Sequence, residues 1–137
     1  MDKKLLVYTD GGSRGNPGPA AIGVVINNRF YGEKIGETTN NVAEYQAVIF
    51  ALKKAKQLIG KTKAKETDLE IRSDSQLVIS QLNGEYKIKD EELKPLFIEI
   101  WNLKQDFKSV KFTLVSREEN KIADKIVNQT LDSLLKF

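Results

Sequence analysis

The sequence predicts an α/β fold with a five-stranded mixed sheet, in which three antiparallel strands are followed by parallel crossovers and helices flank the sheet. Three observations support this class. Short β-rich runs open the chain, a long segment of helical periodicity follows, and later strand-like segments alternate with helical ones. The expected element order is βββαβααβα. The chain has 137 residues, 40% of them hydrophobic, which fits a single domain over residues 1–137.

The first three elements are strands. Residues 5–10 are a β-rich run that stops at Asp10 and enters a loop shaped by Gly and Pro. Residues 21–26 and 29–35 flank Asn27 and Asn28, and asparagine tolerates the positive φ that a two-residue hairpin turn requires. The sequence therefore predicts that the sheet begins with antiparallel pairing.

The fourth element is an amphipathic helix over residues 41–59. Alanines recur at every fourth position from Ala43 to Ala55, a helical period that lets the helix lie close against a sheet. Gly60 is suited to end it. We interpret the lysine-rich residues 61–65 as a solvated loop after the helix, where cations also complement the helix dipole.

The second half of the chain predicts two more strands and three more helices. Asp90 or Glu91 is suited to start the middle helix, and Pro95 is tolerated there only if the helix begins late or bends. Apolar residues at helical spacing from Ile122 to Leu134 predict the last helix. The predicted ranges are 69–73 and 110–115 for the strands, and 75–82, about 90–107 and 120–135 for the helices.

The composition restricts the chemistry available to the chain. It contains no Cys and no His, which excludes disulfides, thiolate sites and the commonest general base. Any bound metal must be held by oxygen atoms, which favours Mg²⁺ or Mn²⁺ over Zn²⁺. A net charge of +3 permits a polyanionic partner without demonstrating one. The N-terminus lacks a signal peptide's long apolar region, and we expect a soluble cytoplasmic protein that binds no membrane.

Four carboxylates lie where predicted strands end or predicted helices begin. Asp10 and Asp74 follow strands, and open α/β sheets assemble ligand sites at the carboxyl ends of their strands. Glu44 and Asp124 lie in the first turns of helices. Each has an ordinary explanation as a turn, a cap or a partner of the helix dipole, and for Asp74, before Ser75, capping taken alone is the stronger interpretation.

The placement of all four carboxylates together favours one shared site. Crowded carboxylates repel and raise each other's pKa, so such a cluster requires compensating cations. Two Mg²⁺ ions roughly 3.5–4 Å apart would activate a water molecule and stabilise the leaving oxygen of a phosphodiester. This chemistry needs neither His nor Cys, in agreement with the composition.

The motifs around these carboxylates resemble those of ribonuclease H type 1. They are YTDGGSRGNPGP at residues 8–19, TTNNVAEY at 38–45, SDSQ at 73–76 and NKIAD at 120–124, and the resemblance spans nearly the whole chain. It implies the ribonuclease H-like fold. It also implies that Asp10, Glu44, Asp74 and Asp124 are the catalytic, metal-binding carboxylates, with two Mg²⁺ ions, or Mn²⁺ as a substitute, bound together with substrate.

The resemblance implies the substrate as well. The RNA strand of an RNA/DNA hybrid would be cut internally to leave 5'-phosphate and 3'-hydroxyl ends. Asn16, Asn40 and Gln76 match family positions that contact the RNA strand from the minor groove, where 2'-hydroxyls mark RNA. Asn41 matches a further groove contact, and Thr39 matches part of a pocket for a DNA phosphate. Asn40 or Asn41 could also cap the helix that follows.

The sequence departs from many family members in two regions. No His lies in the loop before Asp124, and the shortened loop at residues 115–119 resembles the archaeal-type branch. Arg117 is therefore a candidate for a supporting role, with a surface charge or phosphate binding alone as the alternatives. The basic, Trp-rich protrusion of some bacterial members is missing, and residues 83–89 replace it. Tyr86, with neighbouring lysines, either contacts the DNA strand or faces the core.

Two other functions remain open at this point. One is a non-catalytic module that binds RNA/DNA hybrids, and the other is a different metal-dependent nuclease on the same fold. The complete set of four carboxylates argues against a non-catalytic module. The amides of Asn16, Asn40 and Asn41 argue against a different nuclease, because they are suited to contact successive 2'-hydroxyls along an RNA strand. We expect a monomer without an obligate protein partner.

Overall fold

The computed structural model describes residues 3–133 and confirms the predicted fold class. Five strands form one mixed sheet in the order β3-β2-β1-β4-β5. Strands β1 and β2 pair antiparallel, as do β2 and β3, whereas β4 pairs parallel with both β1 and β5. In chain order the elements are β1 (Lys3–Ser13), β2 (Gly18–Ile26), β3 (Arg29–Thr38), α1 (Asn40–Ile59), α2 (Lys61–Ala64), β4 (Thr67–Ser73), α3 (Gln76–Leu82), α4 (Lys94–Lys104), β5 (Ser109–Leu114) and α5 (Lys121–Ser133).

The turn between β2 and β3 forms at the predicted asparagines. Asn27 adopts a φ of 54°, the left-handed conformation that a tight hairpin turn needs and that asparagine tolerates. Pairing then runs from Ile26↔Arg29 along the hairpin. The prediction of a hairpin at this point is confirmed.

The first strand is longer than predicted, which corrects the placement of Asp10. β1 continues beyond Asp10 to Ser13, because β2 keeps pairing with it as far as Ser13↔Ala20. Its parallel pairing with β4 ends earlier, at Tyr8↔Arg72. Asp10 therefore lies inside β1, in the part that pairs with β2 but no longer with β4. This places Asp10 beside the carboxyl end of β4.

Helix α1 packs on one face of the sheet through the predicted alanine row. All four alanines of that row are fully buried. At Gly11 the backbone of β1 approaches the helix so closely that a Cβ there would overlap the backbone of Ala43. This contact places the first turn of α1 directly against β1.

Helix α5 packs on the opposite face. Along β2, Ile22 belongs to the core cluster beneath α1, whereas Ala21 packs with Val127 and Leu131 of α5. Ile122, predicted in the apolar stripe of this helix, is instead exposed. Residues 134 and 135 of the predicted helix lie outside the described residues.

Two further differences concern helix boundaries. α4 begins only at Lys94, with Pro95 in its first turn, as the late-start alternative required. The segment predicted as a loop after α1 contains the short helix α2, because Ala64 is buried and its N–H donates to the carbonyl of Gly60, while its lysines stay exposed. Within residues 3–133, no helix is long and apolar enough to cross a membrane.

Candidate active site

The structure brings the four predicted carboxylates into one cleft. β1 supplies Asp10, the end of β4 leads into Asp74, and the first turns of α1 and α5 supply Glu44 and Asp124. Oxygen atoms of Asp10, Glu44 and Asp74 lie within 4.8 Å of one another. Asp124 lines the same cleft, whose volume is about 370 Å³, and contributes to the raised pKa of Asp10.

Glu44 is oriented by the backbone of β1. The Gly11 N–H donates to its Oε1 at 2.9 Å. This bond is available because the close packing of β1 on α1 brings the first helical turn within reach of the strand. Gly11 thus provides the close approach and the donor that together aim Glu44 into the cleft.

The cleft raises the pKa of its two innermost carboxyls. Burial, followed by repulsion from Asp74 and Asp124, raises the pKa of Asp10 from 3.8 to about 8. Burial, followed by repulsion from Asp10 and Asp74, raises the pKa of Glu44 well above 4.5, although the Gly11 N–H acts in the opposite direction. An oxygen-only cluster with this excess of negative charge has the donor chemistry that hard divalent cations require.

The Asp74 carboxylate is free to serve this cluster because another residue caps α3. Ser75 Oγ accepts a hydrogen bond from the Val78 N–H at 3.3 Å, so the interpretation of Asp74 as the cap is wrong. Asp74 instead contacts Asn120, whose Nδ2 donates to Oδ1 at 3.4 Å. Its other oxygen, Oδ2, lies 3.9 Å from Arg117 Nε.

Two of the predicted substrate-binding asparagines are joined beside the cleft. The Asn40 N–H donates to Asn16 Oδ1 at 2.9 Å. Asn40 Oδ1 accepts from the N–H of Ser13 at 2.9 Å and from its hydroxyl at 3.2 Å. The loop after β1 and the start of α1 therefore form one polar surface, and Ser13, to which no role was assigned from the sequence, is part of it.

Neither predicted asparagine caps α1. Thr39 is the N-cap, because its Oγ1 accepts from the Val42 N–H at 3.2 Å, so capping by Asn40 or Asn41 is wrong. Asn41 lies away from the carboxylate cleft, in a second groove. The structure therefore divides the predicted substrate-binding residues between two neighbouring regions.

This second groove, which we call the Tyr86 groove, lies between α1, α3 and the segment that follows α3. It has a volume of about 530 Å³. Tyr86 is 47% exposed, so the core-facing alternative is wrong. Its hydroxyl accepts from Gln76 Nε2 at 3.4 Å, which links Gln76 to this groove. The residues that line the Tyr86 groove include Asn41, Gln81, Tyr86, Lys87 and Lys89.

Two side chains at the cleft rim differ in how firmly they are held. The Arg117 side chain is 95% exposed, and its Nε lies as far as 3.9 Å from Asp74 Oδ2. This ion pair is therefore weak and screened by solvent. Arg14, to which no role was assigned from the sequence, is held by α5. Its Nη2 lies 2.6 Å from Asp132 Oδ1 and also donates to the Asn128 carbonyl at 3.4 Å. Its position inside the first motif was the signal that could have identified it.

Three antiparallel strands followed by parallel crossovers, together with a carboxylate cluster where β4 ends beside β1, define a ribonuclease H-like protein. A model of the family described as "Reverse transcriptase-like" matches residues 8–130. The chain belongs to this family and, within it, is of the ribonuclease H type 1 kind.

Relatives and solved structures agree with this assignment. Ribonuclease HI of Halobacterium salinarum is 40% identical over 135 residues, which cover 94% of this chain and 65% of that protein. A bifunctional protein of Mycobacterium tuberculosis is 36% identical over 95% of this chain, and this chain spans only 36% of the length of that protein.

A solved structure, that of LC11-RNase H1 isolated from compost, superimposes with a TM-score of 0.90 at 42% identity. The match covers 99% of this chain and 100% of that one. A second LC11-RNase H1 structure, a complex with an RNA/DNA hybrid, gives the same TM-score and identity over 96% of this chain and 99% of that one.

Proposed function

We propose that this chain is an endoribonuclease that hydrolyses the RNA strand of RNA/DNA hybrids and leaves 5'-phosphate and 3'-hydroxyl ends. The convergence of Asp10, Glu44, Asp74 and Asp124 in one cleft carries the proposal. The similarity to LC11-RNase H1, which was determined in complex with an RNA/DNA hybrid, supports this choice of substrate.

The four carboxylates would hold divalent metal, Mg²⁺ or Mn²⁺, with two ions per site when substrate is bound. The fit is supported by the oxygen-only donor set and by the burial and mutual repulsion that raise the pKa of Asp10 and Glu44. When bound, such ions supply an activated water and neutralise the charge that develops on the phosphate. The protein's contribution is to hold the carboxylates in place.

The chain's own groups prepare the cleft for this task. Gly11 fixes Glu44 through its N–H, and Asn120 contacts Asp74. With its pKa raised to about 8, Asp10 holds a proton near neutral pH when no cation is present, and the pKa of Glu44 is raised in the same direction. Cation binding must displace the proton of Asp10, so we expect activity to rise with pH through the neutral range.

Recognition of the RNA strand is proposed for the polar surface beside the cleft. Asn16 and Asn40 are joined by a hydrogen bond, which presents their remaining amide groups from a fixed platform. Gln76 extends this set toward the Tyr86 groove through its bond with Tyr86. Amides placed along the minor groove can contact 2'-hydroxyls, the groups that distinguish RNA from DNA.

A contact with a phosphate of the DNA strand is proposed for Thr39, and a further groove contact for Asn41. Thr39 Oγ1 accepts the capping hydrogen bond from Val42, so its hydroxyl hydrogen is left to donate to a phosphate oxygen. Asn41 lies in the Tyr86 groove near exposed lysines. Arg117 is proposed for a supporting role, because it lines the carboxylate cleft and its Nε lies 3.9 Å from Asp74 Oδ2.

The test is a cleavage assay with strand-labelled substrates. An RNA/DNA hybrid, duplex DNA and duplex RNA of one sequence are incubated with the protein in Mg²⁺ and, separately, in Mn²⁺. We expect internal cuts in the RNA strand of the hybrid, with 5'-phosphate ends. Hybrid binding without cleavage would instead indicate a binding module, and efficient cutting of duplex DNA would indicate a different nuclease.

A further inference from the structure

We propose that Asn120 is a positioning residue, which holds Asp74 and the start of α5 in the arrangement that binds metal. This inference rests on the proposed function. No role was assigned to Asn120 from the sequence, although it opens the NKIAD motif. It is a polar side chain only 1% exposed and it lies beneath the carboxylate cleft.

The side-chain amide of Asn120 joins two strands at the cleft. Its Nδ2 donates to the Thr9 carbonyl of β1 at 2.9 Å and to Asp74 Oδ1 at 3.4 Å. Thr9 immediately precedes Asp10 in β1. One NH₂ group therefore fixes the distance between the strand that carries Asp10 and the residue that follows β4.

The backbone of Asn120 connects the same point to α5. Its carbonyl accepts from the Asp124 N–H at 3.1 Å, so Asp124 lies one helical turn further on. Its N–H donates to the carbonyls of Ser116 and Arg117, each at 3.1 Å, which closes the preceding loop. Asn120 thus connects the segments that carry Asp10, Asp74 and Asp124.

The chemistry of its neighbours determines how the amide is oriented. The Thr9 carbonyl and the Asp74 carboxylate are both acceptors, so only the NH₂ side of the amide can face them. Its Oδ1 is then buried and has no hydrogen-bond partner among residues 3–133. A buried acceptor without a hydrogen-bond partner lowers the stability of a fold, which is typical of a group retained for function.

A neutral donor suits this position better than a charged one. Asn120 restrains Asp74 Oδ1 without cancelling its negative charge, whereas a buried Lys or Arg would compete with a bound cation. The opposite oxygen, Oδ2, lies 3.9 Å from the Nε of the exposed Arg117, and an oxygen of Asp74 lies within 4.8 Å of oxygens of Asp10 and Glu44. Asn120 therefore restrains Asp74 while the carboxylate stays part of the cluster that would hold a metal ion.

The test compares Mg²⁺ binding in Asn120→Ala, Asn120→Leu and the wild-type chain. Leu keeps the branched shape of Asn but removes the donor, so it separates the lost hydrogen bond from the lost volume. Asn83→Ala is the matched control, because Asn83 Nδ2 also donates to a carbonyl, that of Phe112, outside the cleft. Each protein is melted over a series of Mg²⁺ concentrations, and hybrid cleavage is measured over the same series.

We expect the Mg²⁺ concentration for half-maximal thermal stabilisation to rise about tenfold or more in both Asn120 variants, and not in Asn83→Ala. The KM for hybrid should stay unchanged, and kcat should recover at high Mg²⁺.

The proposal would be overturned if both Asn120 variants needed the same Mg²⁺ concentration as the wild-type chain for half-maximal stabilisation. It would also be overturned if both failed to melt cooperatively without metal. The wild-type chain alone tests the proposed function: stabilisation by Mg²⁺ without cleavage would refute hybrid hydrolysis but leave the Asn120 comparison valid.

Discussion

Replacing Asp10 by Asn should stabilise the metal-free protein at neutral pH. The pKa of Asp10 is raised from 3.8 to about 8 by burial and by the neighbouring carboxylates. Below pH 3.8 the carboxyl is protonated in both the folded and the unfolded chain. Between these two values the unfolded chain releases the proton and the folded chain keeps it, so the free energy of unfolding falls as pH rises.

The size of the effect follows from this difference in bound protons. One proton corresponds to about 1.4 kcal/mol per pH unit. From pH 5.5 to 7.5, Asp10 alone should therefore lower the free energy of unfolding by about 3 kcal/mol. The Asp10→Asn variant has no carboxyl at this position and does not lose stability in this way. The difference in free energy of unfolding between the variant and the wild-type chain should therefore grow by about 3 kcal/mol from pH 5.5 to 7.5.

Urea unfolding followed by circular dichroism measures this difference. Both proteins are unfolded in EDTA at pH 5.5, 6.5 and 7.5, and again with Mg²⁺. Asp68→Asn is the control, because it makes the same change at the far end of β4, where Asp68 accepts from the Ser109 hydroxyl at 2.6 Å. A difference between wild type and Asp10→Asn that is independent of pH in EDTA would refute the reasoning about crowded charge.

Three further substitutions test the cleft. Asp74→Asn should abolish hybrid cleavage and keep or raise the metal-free melting temperature; retained activity would contradict the site. Arg117→Ala should slow turnover far less than Asp74→Asn, since its guanidinium is 95% exposed, and equal losses would make it essential. Gly11→Ala should lower the free energy of unfolding by about 3 kcal/mol or more in urea, because its Cβ overlaps Ala43; wild-type stability would disprove that contact.

Local sequence signals predicted the elements whose formation depends on local physics. The alanine row predicted the buried face of α1, and the asparagine pair predicted the hairpin whose Asn27 has a positive φ. Pro95 restricted the start of α4 to a late position. In each case a steric or conformational property of the residue itself determines the outcome.

Boundaries that depend on a distant partner were not predicted. β1 extends past Asp10 because β2 continues to pair with it, which no local pattern in β1 reveals. Capping was misassigned for a different, local reason, because Thr39 and Ser75 compete with neighbouring polar residues for the same N–H groups. The choice among adjacent caps depends on backbone geometry at the helix start.

The sequence predicted the carboxylates that the structure brings together, but not the neutral groups that orient them. Carboxylates at strand ends and helix starts are visible in a sequence because their position and chemistry coincide. The donors that orient them, the Gly11 N–H and the Asn120 amide, become apparent only once β1, α1 and α5 are packed. Metal identity, single-domain organisation, cytoplasmic location and monomeric state stay predictions.

The central claim is that four carboxylates form one metal-dependent centre for cutting RNA in hybrids. Its most direct test is the rate of hybrid cleavage by the wild-type chain, Asp10→Asn and Asp68→Asn over a series of Mg²⁺ concentrations. We predict Mg²⁺-dependent cleavage of the RNA strand by the wild-type chain and Asp68→Asn, and none above background by Asp10→Asn. Cleavage that persists in EDTA, or in Asp10→Asn, would contradict the claim.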